Sequence, residues 1–282
     1  MGDLPRPVWN GAISFGLINI PVKLYNAVKR KTIHFQQLRA SDGCKIRLKR
    51  VCETDGAEVA NTEITKGYEV SPDRYVMIRP EEMEAVYPKT TRRIDIEDFV
   101  QLTQIDPMYY ERPYYLTPDK GAGKAYSLLL KAMEKSGKVA IAKMVLRNKQ
   151  YLAVIRPSHS ARSGPKLLTL STMLFADEVV KPEELEGLPE EDIRLNEREM
   201  AMAEQLIQSL SAEFEPQKYE DEYRQRILDL IESKAEGQTF AVQPVPEKQQ
   251  GKVIDLMAAL EASLAAIETK SEGKPKRKKR AK

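Results

Sequence analysis

At 282 residues the chain is long enough for one large domain or a domain with appendages, and a hydrophobic fraction of 41% excludes disorder throughout. No apolar run reaches about 18 residues, and Asp3, Pro5 and Arg6 stand where a secretory leader needs an apolar stretch, so a cytoplasmic protein without a membrane span is expected. The net charge of +3 conceals an asymmetry: residues 1–175 sum to +10, residues 176–273 to −14 and residues 274–282 to +7, the pattern of a chain that meets a polyanion on selected surfaces.

The first 175 residues read mostly as β-structure. From Gly11 to Tyr25, strand formers alternate with turn residues, and Trp9, the single tryptophan, stands just ahead of them. Lys45-Ile46-Arg47-Leu48-Lys49 alternates strictly, which predicts a strand with cations on one face and aliphatics on the other. Further strands are expected at Arg74–Arg79, Asp95–Leu102, Tyr114–Leu116, Ala140–Leu146, Gln150–Arg156 and Lys166–Leu174. Many short strands with frequent turn signals point to a barrel or sandwich. Two helices interrupt them. One is short and starts near Pro80 with acids in its first turn; the other spans about 123–135, with Tyr126, Leu129, Leu130 and Met133 on one side and Gly137 as its stop.

After Asp177 the pattern changes. Pro182, Gly187 and Pro189 mark a connector, followed by amphipathic helices over roughly 196–213 and 217–233, parted by Pro216. Residues 236–251 lose apolar periodicity and read as a linker. Val253, Leu256, Met257, Leu260 and Leu264 then recur at helical spacing, on a segment of about 17 residues, roughly 25 Å long. Such a helix is marginal alone, so its stripe needs a partner. The last stretch, 269–282, reads as a disordered tail holding Lys274, Lys276, Arg277, Lys278, Lys279 and Arg280. No internal repeat is read.

Several catalytic patterns fail. Asp119 to Lys124 resembles a phosphate loop, but Ala125 follows the lysine where Ser or Thr is required and the first glycine is missing. Gly11 to Gly16 has one residue too many for a nucleophile elbow. His34 and His159 stand beside neither a cysteine nor an acidic pair. Cys44 and Cys52 fit a reducing compartment and match no zinc spacing, so no metal and no cofactor is expected. Tyr109, Tyr110, Tyr114 and Tyr115 are suited to base stacking, but Pro107 and Pro113 frame them as barrel core and rim. What remains is phosphate chemistry. Lys45, Arg47 and Lys49 would project about 6.6 Å apart on a strand, close to the phosphate step of about 7 Å, with Arg50 at the strand end, Lys66 nearby and Lys31 in a second basic cluster. Such contacts do not read sequence.

RPVWNGAISFGLINIPVKLYNA (6–27), CKIRLKRVCETDGAEV (44–59), ITKGYEV (64–70), RRIDIEDFV (92–100) and IDPMYYERPYYLTPDKGAGKAYSLL (105–129) together resemble the bacterial Ku family, as do AKMVLRNKQYLAVIRP (142–157) and LLTLSTMLFADEVV (167–180). The resemblance covers nearly the whole chain. It implies a mixed β+α fold: a Ku-core β-barrel over 1–180 with a long bridge insertion at about 42–80, a C-terminal helical arm over 181–235, the linker, and a ligase-recruiting helix over 252–268. It implies no N-terminal integrin-type domain. Function is then expected to be non-enzymatic: a homodimeric ring that encircles double-stranded DNA ends in non-homologous end joining, associated with the nucleoid, and recruits an ATP-dependent DNA ligase through Val253, Leu256, Met257, Leu260 and Leu264. The alternatives are an abasic-site lyase acting through a lysine Schiff base, for which no lysine stands out, and a general nucleic-acid binder.

Overall fold

The computed structural model describes residues 5–88, 92–158, 166–188, 196–237, 257 and 259–265. The chain divides into two units, Met1–Glu184 and Leu185–Lys282.

The first unit is built on a closed seven-stranded barrel of order β1-β2-β6-β9-β8-β7-β5. Strands β1 (Trp9–Phe15) and β2 (Ile18–Asn26) form a hairpin. Its two-residue turn places Gly16 at φ 55°, a conformation that glycine adopts without steric cost. Strand β5 (Arg93–Gln101) returns beside β1 in parallel, pairing Ala12 with Arg93 and Ser14 with Asp95, and so closes the barrel. The remaining pairs are antiparallel: β6 (Tyr110–Pro118) lies between β2 and β9 (Leu167–Met173), and β8 (Lys149–Ser158) between β9 and β7 (Lys138–Leu146). Arg147 and Asn148, at φ 52° and 63°, make the tight turn joining β7 to β8.

Side-chain alternation fills the barrel. Ile13, Ile20, Val22, Leu24, Ile94, Leu116, Ile155, Leu168 and Leu170 are almost wholly excluded from solvent and form one cluster. On the opposite side of the same strands, Val139, Val154 and Met173 pack with Ile105, Tyr109 and Tyr110. Strand β9 is therefore buried on both faces, which explains its unbroken run of buried residues. Gly11 is fixed by close approach, since a Cβ there would fall 2.1 Å from the Trp9 ring and 2.2 Å from the Arg92 carbonyl oxygen.

The helix between β6 and β7 completes the core. Its stop at Gly137, φ 67°, is a left-handed cap. The Tyr126 hydroxyl donates to the Leu116 carbonyl at 2.6 Å and accepts from the Leu168 N–H at 2.7 Å. Leu116 and Leu168 are register partners on β6 and β9, so one phenol fastens the helix to the end of that ladder. Burial raises the Tyr126 pKa, against the opposing pull of the Leu168 N–H.

Between β2 and β5 the chain makes a long excursion that holds strands β3 (Lys66–Ser71) and β4 (Arg74–Ile78), then helix α1 (Pro80–Val86). β3 and β4 form their own two-stranded sheet, around Asp73 at φ 62°. The helix at Gly123–Ser136 is accordingly α2.

In the second unit, α3 (Glu197–Leu210) and α4 (Glu222–Ala235) are shorter than the periodicity suggests. Ser211 is extended and ends α3, while the Asp221 carboxylate accepts from the Arg224 N–H and sets the start of α4. Pro216–Lys218 is a single 3₁₀ turn, and Phe214 stacks on Tyr219 at 5.8 Å. No residue of either helix is buried.

Candidate nucleic-acid interface

The excursion between β2 and β5 carries half of the cations singled out by the sequence, Lys31, Lys45, Arg47, Lys49, Arg50 and Lys66. None of its residues from 27 to 88 is buried. Leu48, Tyr68, Tyr75 and Met77 are 89%, 68%, 58% and 71% exposed, so this segment has apolar side chains but no core of its own.

The expected strand at Lys45–Lys49 does not form. Lys45 makes an isolated bridge to Leu38, Val51 makes another to Glu58, and residues 46–50 pass between them without a ladder. Alternation alone does not make a strand, because the backbone groups need a continuous neighbouring chain. Here the Ile46 N–H donates to Gln37 O at 3.2 Å and the Val59 N–H to Arg50 O at 2.9 Å, each to a different turn.

Those two turns are a repeat that the sequence reading missed. Each lies 13 residues from its counterpart (Leu38 and Lys45 against Val51 and Glu58). In the first, Gly43 at φ 70° donates to Arg39 O and the Cys44 N–H donates to Asp42 Oδ1 at 3.1 Å. In the second, Gly56 at φ 69° donates to Cys52 O and the Ala57 N–H donates to Asp55 Oδ1 at 3.0 Å. Only the Asp-Gly pair is shared in sequence, too short a signal to register as a repeat. Both carboxyl groups are held below their ordinary range. The Arg39 guanidinium does this first for Asp42, and the Ala57 N–H for Asp55.

The cations differ in their engagement. Lys49 Nζ lies 2.6 Å from Glu58 Oε2, and Arg50 Nη1 donates to Asn61 Oδ1 at 2.8 Å. Lys31, Lys45, Arg47 and Lys66 have no ion pair among the described residues; all are exposed. Lys66 is paired across the hairpin with Ile78. It borders a cleft of about 200 Å³ shared by Ile64, Ile78, Met83, Glu84 and Tyr87. The Thr65 hydroxyl in that cleft donates to Ile78 O at 3.2 Å.

The remaining sequence-selected residues divide clearly. Tyr114 is buried, Tyr109 and Tyr110 pack against the outer cluster, and Tyr115 is 41% exposed, so the aromatic group belongs mainly to barrel core and rim. Asp119 of the apparent phosphate loop is taken by Lys23, Nζ to Oδ1 2.7 Å, which lowers the carboxyl and raises the ammonium. Among the described residues no three His, Cys, Asp or Glu side chains are grouped to hold a metal, and no helix is long and apolar enough to cross a membrane. Lys274, Lys276, Arg277, Lys278, Lys279, Arg280, Val253 and Leu256 lie outside the described residues. Met257, Leu260 and Leu264 are half-buried on a helical stretch, where Glu261 Oε1 comes within 3.9 Å of Arg198 Nη2 on α3.

Residues 14–206 match the family model described as the Ku70/Ku80 beta-barrel domain. The non-homologous end joining protein Ku of Anaeromyxobacter sp. (strain K) is 51% identical over 263 residues, covering 93% of this chain and 86% of that protein. The corresponding protein of Desulfitobacterium hafniense is 42% identical over 94% of this chain and 89% of its own length. That of Heliobacterium modesticaldum is 40% identical over 98% of each.

Proposed function

The chain belongs to the Ku family, and from that premise we propose that it is a DNA-end-binding protein of non-homologous end joining, acting as a homodimeric clamp around duplex DNA. The observation that carries the reading is the contrast within unit 1, where a barrel with a closed core bears an excursion with none. Residues 27–88 expose tyrosines, methionine and aliphatics together with unpaired cations. A second protomer covering the apolar side chains would leave the cations to meet phosphates. A stable homodimer buries on the order of 2,000 Å² or more, and the exposed apolar residues of α3 and α4 add to what is available, Ile207 and Tyr223 among them.

Phosphate contact supplies affinity without base readout, so selectivity comes from topology: a ring of two chains loads at a terminus. No step requires bond chemistry in the protein. The Met257, Leu260 and Leu264 stripe is assigned to an ATP-dependent ligase, by a helix-in-groove contact. The basic residues 274–282 add salt-dependent affinity.

Competition between linear and covalently closed duplex of equal length tests the clamp. Linear DNA is expected to bind with strong preference; equal binding overturns the reading. Sedimentation of the free protein is expected to give a dimer that Tyr68→Ser with Met77→Ser weakens about tenfold or more, whereas a monomer at micromolar concentration rejects the ring. Removal of residues 252–282 is expected to retain end binding and abolish ligase stimulation; full stimulation by the shortened protein removes the recruiting role.

A further inference from the structure

The outer face of α2 carries a row of cations to which no role has yet been attached. Successive helical residues turn by about 100°. On that wheel Lys124, Leu128, Lys131 and Lys135 fall within an arc of about 60°. Tyr126, Leu129, Leu130 and Met133, the buried side, centre on the opposite pole. The lysines therefore point directly away from the barrel core. Along the axis Lys124 and Lys131 are about 10.5 Å apart, and Lys131 and Lys135 about 6 Å. Lys120 precedes the helix and Lys138 follows it, both exposed.

Charge on this helix is one-sided. Its single acid, Glu134, sits at the flank, 22% exposed, and is held by Lys166 at 3.1 Å. None of Lys120, Lys124, Lys131, Lys135 or Lys138 has an ion pair among the described residues. The other labelled helices are not basic: α1 has acids alone, α3 has three acids against one arginine, and α4 is balanced. Ala125, Ser127 and Ala132 flank the row, so short side chains leave the helix open to a broad surface.

We propose that this face of α2 is a second phosphate-contacting track, which binds the duplex backbone independently of the cations between β2 and β5. The assignment rests on the DNA-binding reading above. A protein partner fits less well, because protein interface cores are depleted in lysine and enriched in aromatic residues, and Leu128, 69% exposed, is the only large apolar side chain in the row. A polyanion with charges repeated every few ångströms matches three mobile ammonium groups spaced at 6–10 Å, and each contact releases counterions.

The test is the salt dependence of binding to a 30-bp linear duplex, read for the unaltered protein and for the triple variant Lys124→Gln, Lys131→Gln, Lys135→Gln. At a slope of about 0.9 per phosphate, loss of three contacts lowers the slope of log K against log salt by about 2.7 and, counted from 1 M, weakens binding at 0.1 M salt by about 500-fold. The triple Lys→Arg variant is expected to keep the slope. Lys131→Gln alone is expected to lower it by about 0.9, which keeps the test decisive if the triple variant misfolds. An unchanged slope for the Gln variants, in a protein that still prefers linear to closed DNA, overturns the α2 assignment alone. Loss of self-association or ligase stimulation with the slope retained also overturns it, by showing a protein contact. If the unaltered protein shows no preference for linear DNA, it is the clamp reading that fails.

Discussion

The barrel and the excursion between β2 and β5 use similar residues to opposite ends. In the barrel Ile13, Leu24, Leu116 and Ile155 are sealed from water, and the ladders close on themselves. In the excursion Leu48, Tyr68, Tyr75 and Met77 face solvent, and the only sheet among its described residues is a hairpin of a few residues per strand. A two-stranded hairpin open on both faces is marginal in water unless something packs against it. The difference teaches that one chain keeps its sealed core and its exposed apolar and cationic side chains on separate stretches. Substitutions in the barrel should change folding, and substitutions in the excursion should change binding.

Gly11→Val is expected to break the barrel half of the comparison most severely. Its side chain would collide with the Trp9 ring and the Arg92 carbonyl, costing about 3 kcal/mol in denaturant unfolding. Tyr126→Phe comes next. It leaves the Leu168 N–H without its partner, and a loss of about 2 kcal/mol is expected, with a thermal midpoint lowered in proportion. In the excursion, Arg47→Gln is expected to leave the midpoint unchanged and lower the salt slope of DNA binding by about 0.9. Lys49→Gln should lower it less, because Glu58 already neutralises that ammonium. A change in midpoint for either variant would blur the division. The smallest effect is a pH dependence at the Lys23–Asp119 pair. Asp119 has a lowered pKa, so its contribution is complete above the ordinary value of 3.8 and fades as pH falls through the folded value. Lys23 has a raised pKa, and its contribution is complete below 10.5 and lost as pH rises through the folded value. The difference in thermal midpoint between Lys23→Gln and the unaltered protein is therefore expected to hold across neutral pH and shrink at either extreme; a difference insensitive to strong acid would remove the pair from the account.

The barrel was legible in the sequence because burial on one or both faces imposes a period on each strand. The α2 helix was legible because its four buried residues and Gly137 leave little choice. Edges were less so. β6 begins at Tyr110, where Pro107, Pro113 and the bulge after Tyr110 obscure the alternation. β3 was not read as a strand at all, since Gly67 and Ser71 dilute its pattern and Tyr75 opposite supplies the packing. Lys45–Lys49 shows the converse: the alternation is present and the neighbouring strand is not. At the candidate interface, the identity of the cations was legible but their availability was not. The Glu58 that engages Lys49 and the Asn61 that engages Arg50 lie nine and eleven residues away, brought back by a turn rather than by helical or strand spacing.

The parallel closure of the barrel has a topological corollary. β2 and β5 flank β1, and because β5 runs with β1 while β2 runs against it, the excursion departs and re-enters at the same end of the sheet. Its two roots stand two strand spacings apart laterally, about 10 Å, and are offset by about five residues, roughly 16 Å, along the strands. The 66 residues between Asn26 and Arg93 are thus a graft on a scaffold that closes without them. Doubling the length of such a graft costs only about 0.6 kcal/mol in closure entropy. Lengthening or trimming it leaves the ladders that close the barrel in place.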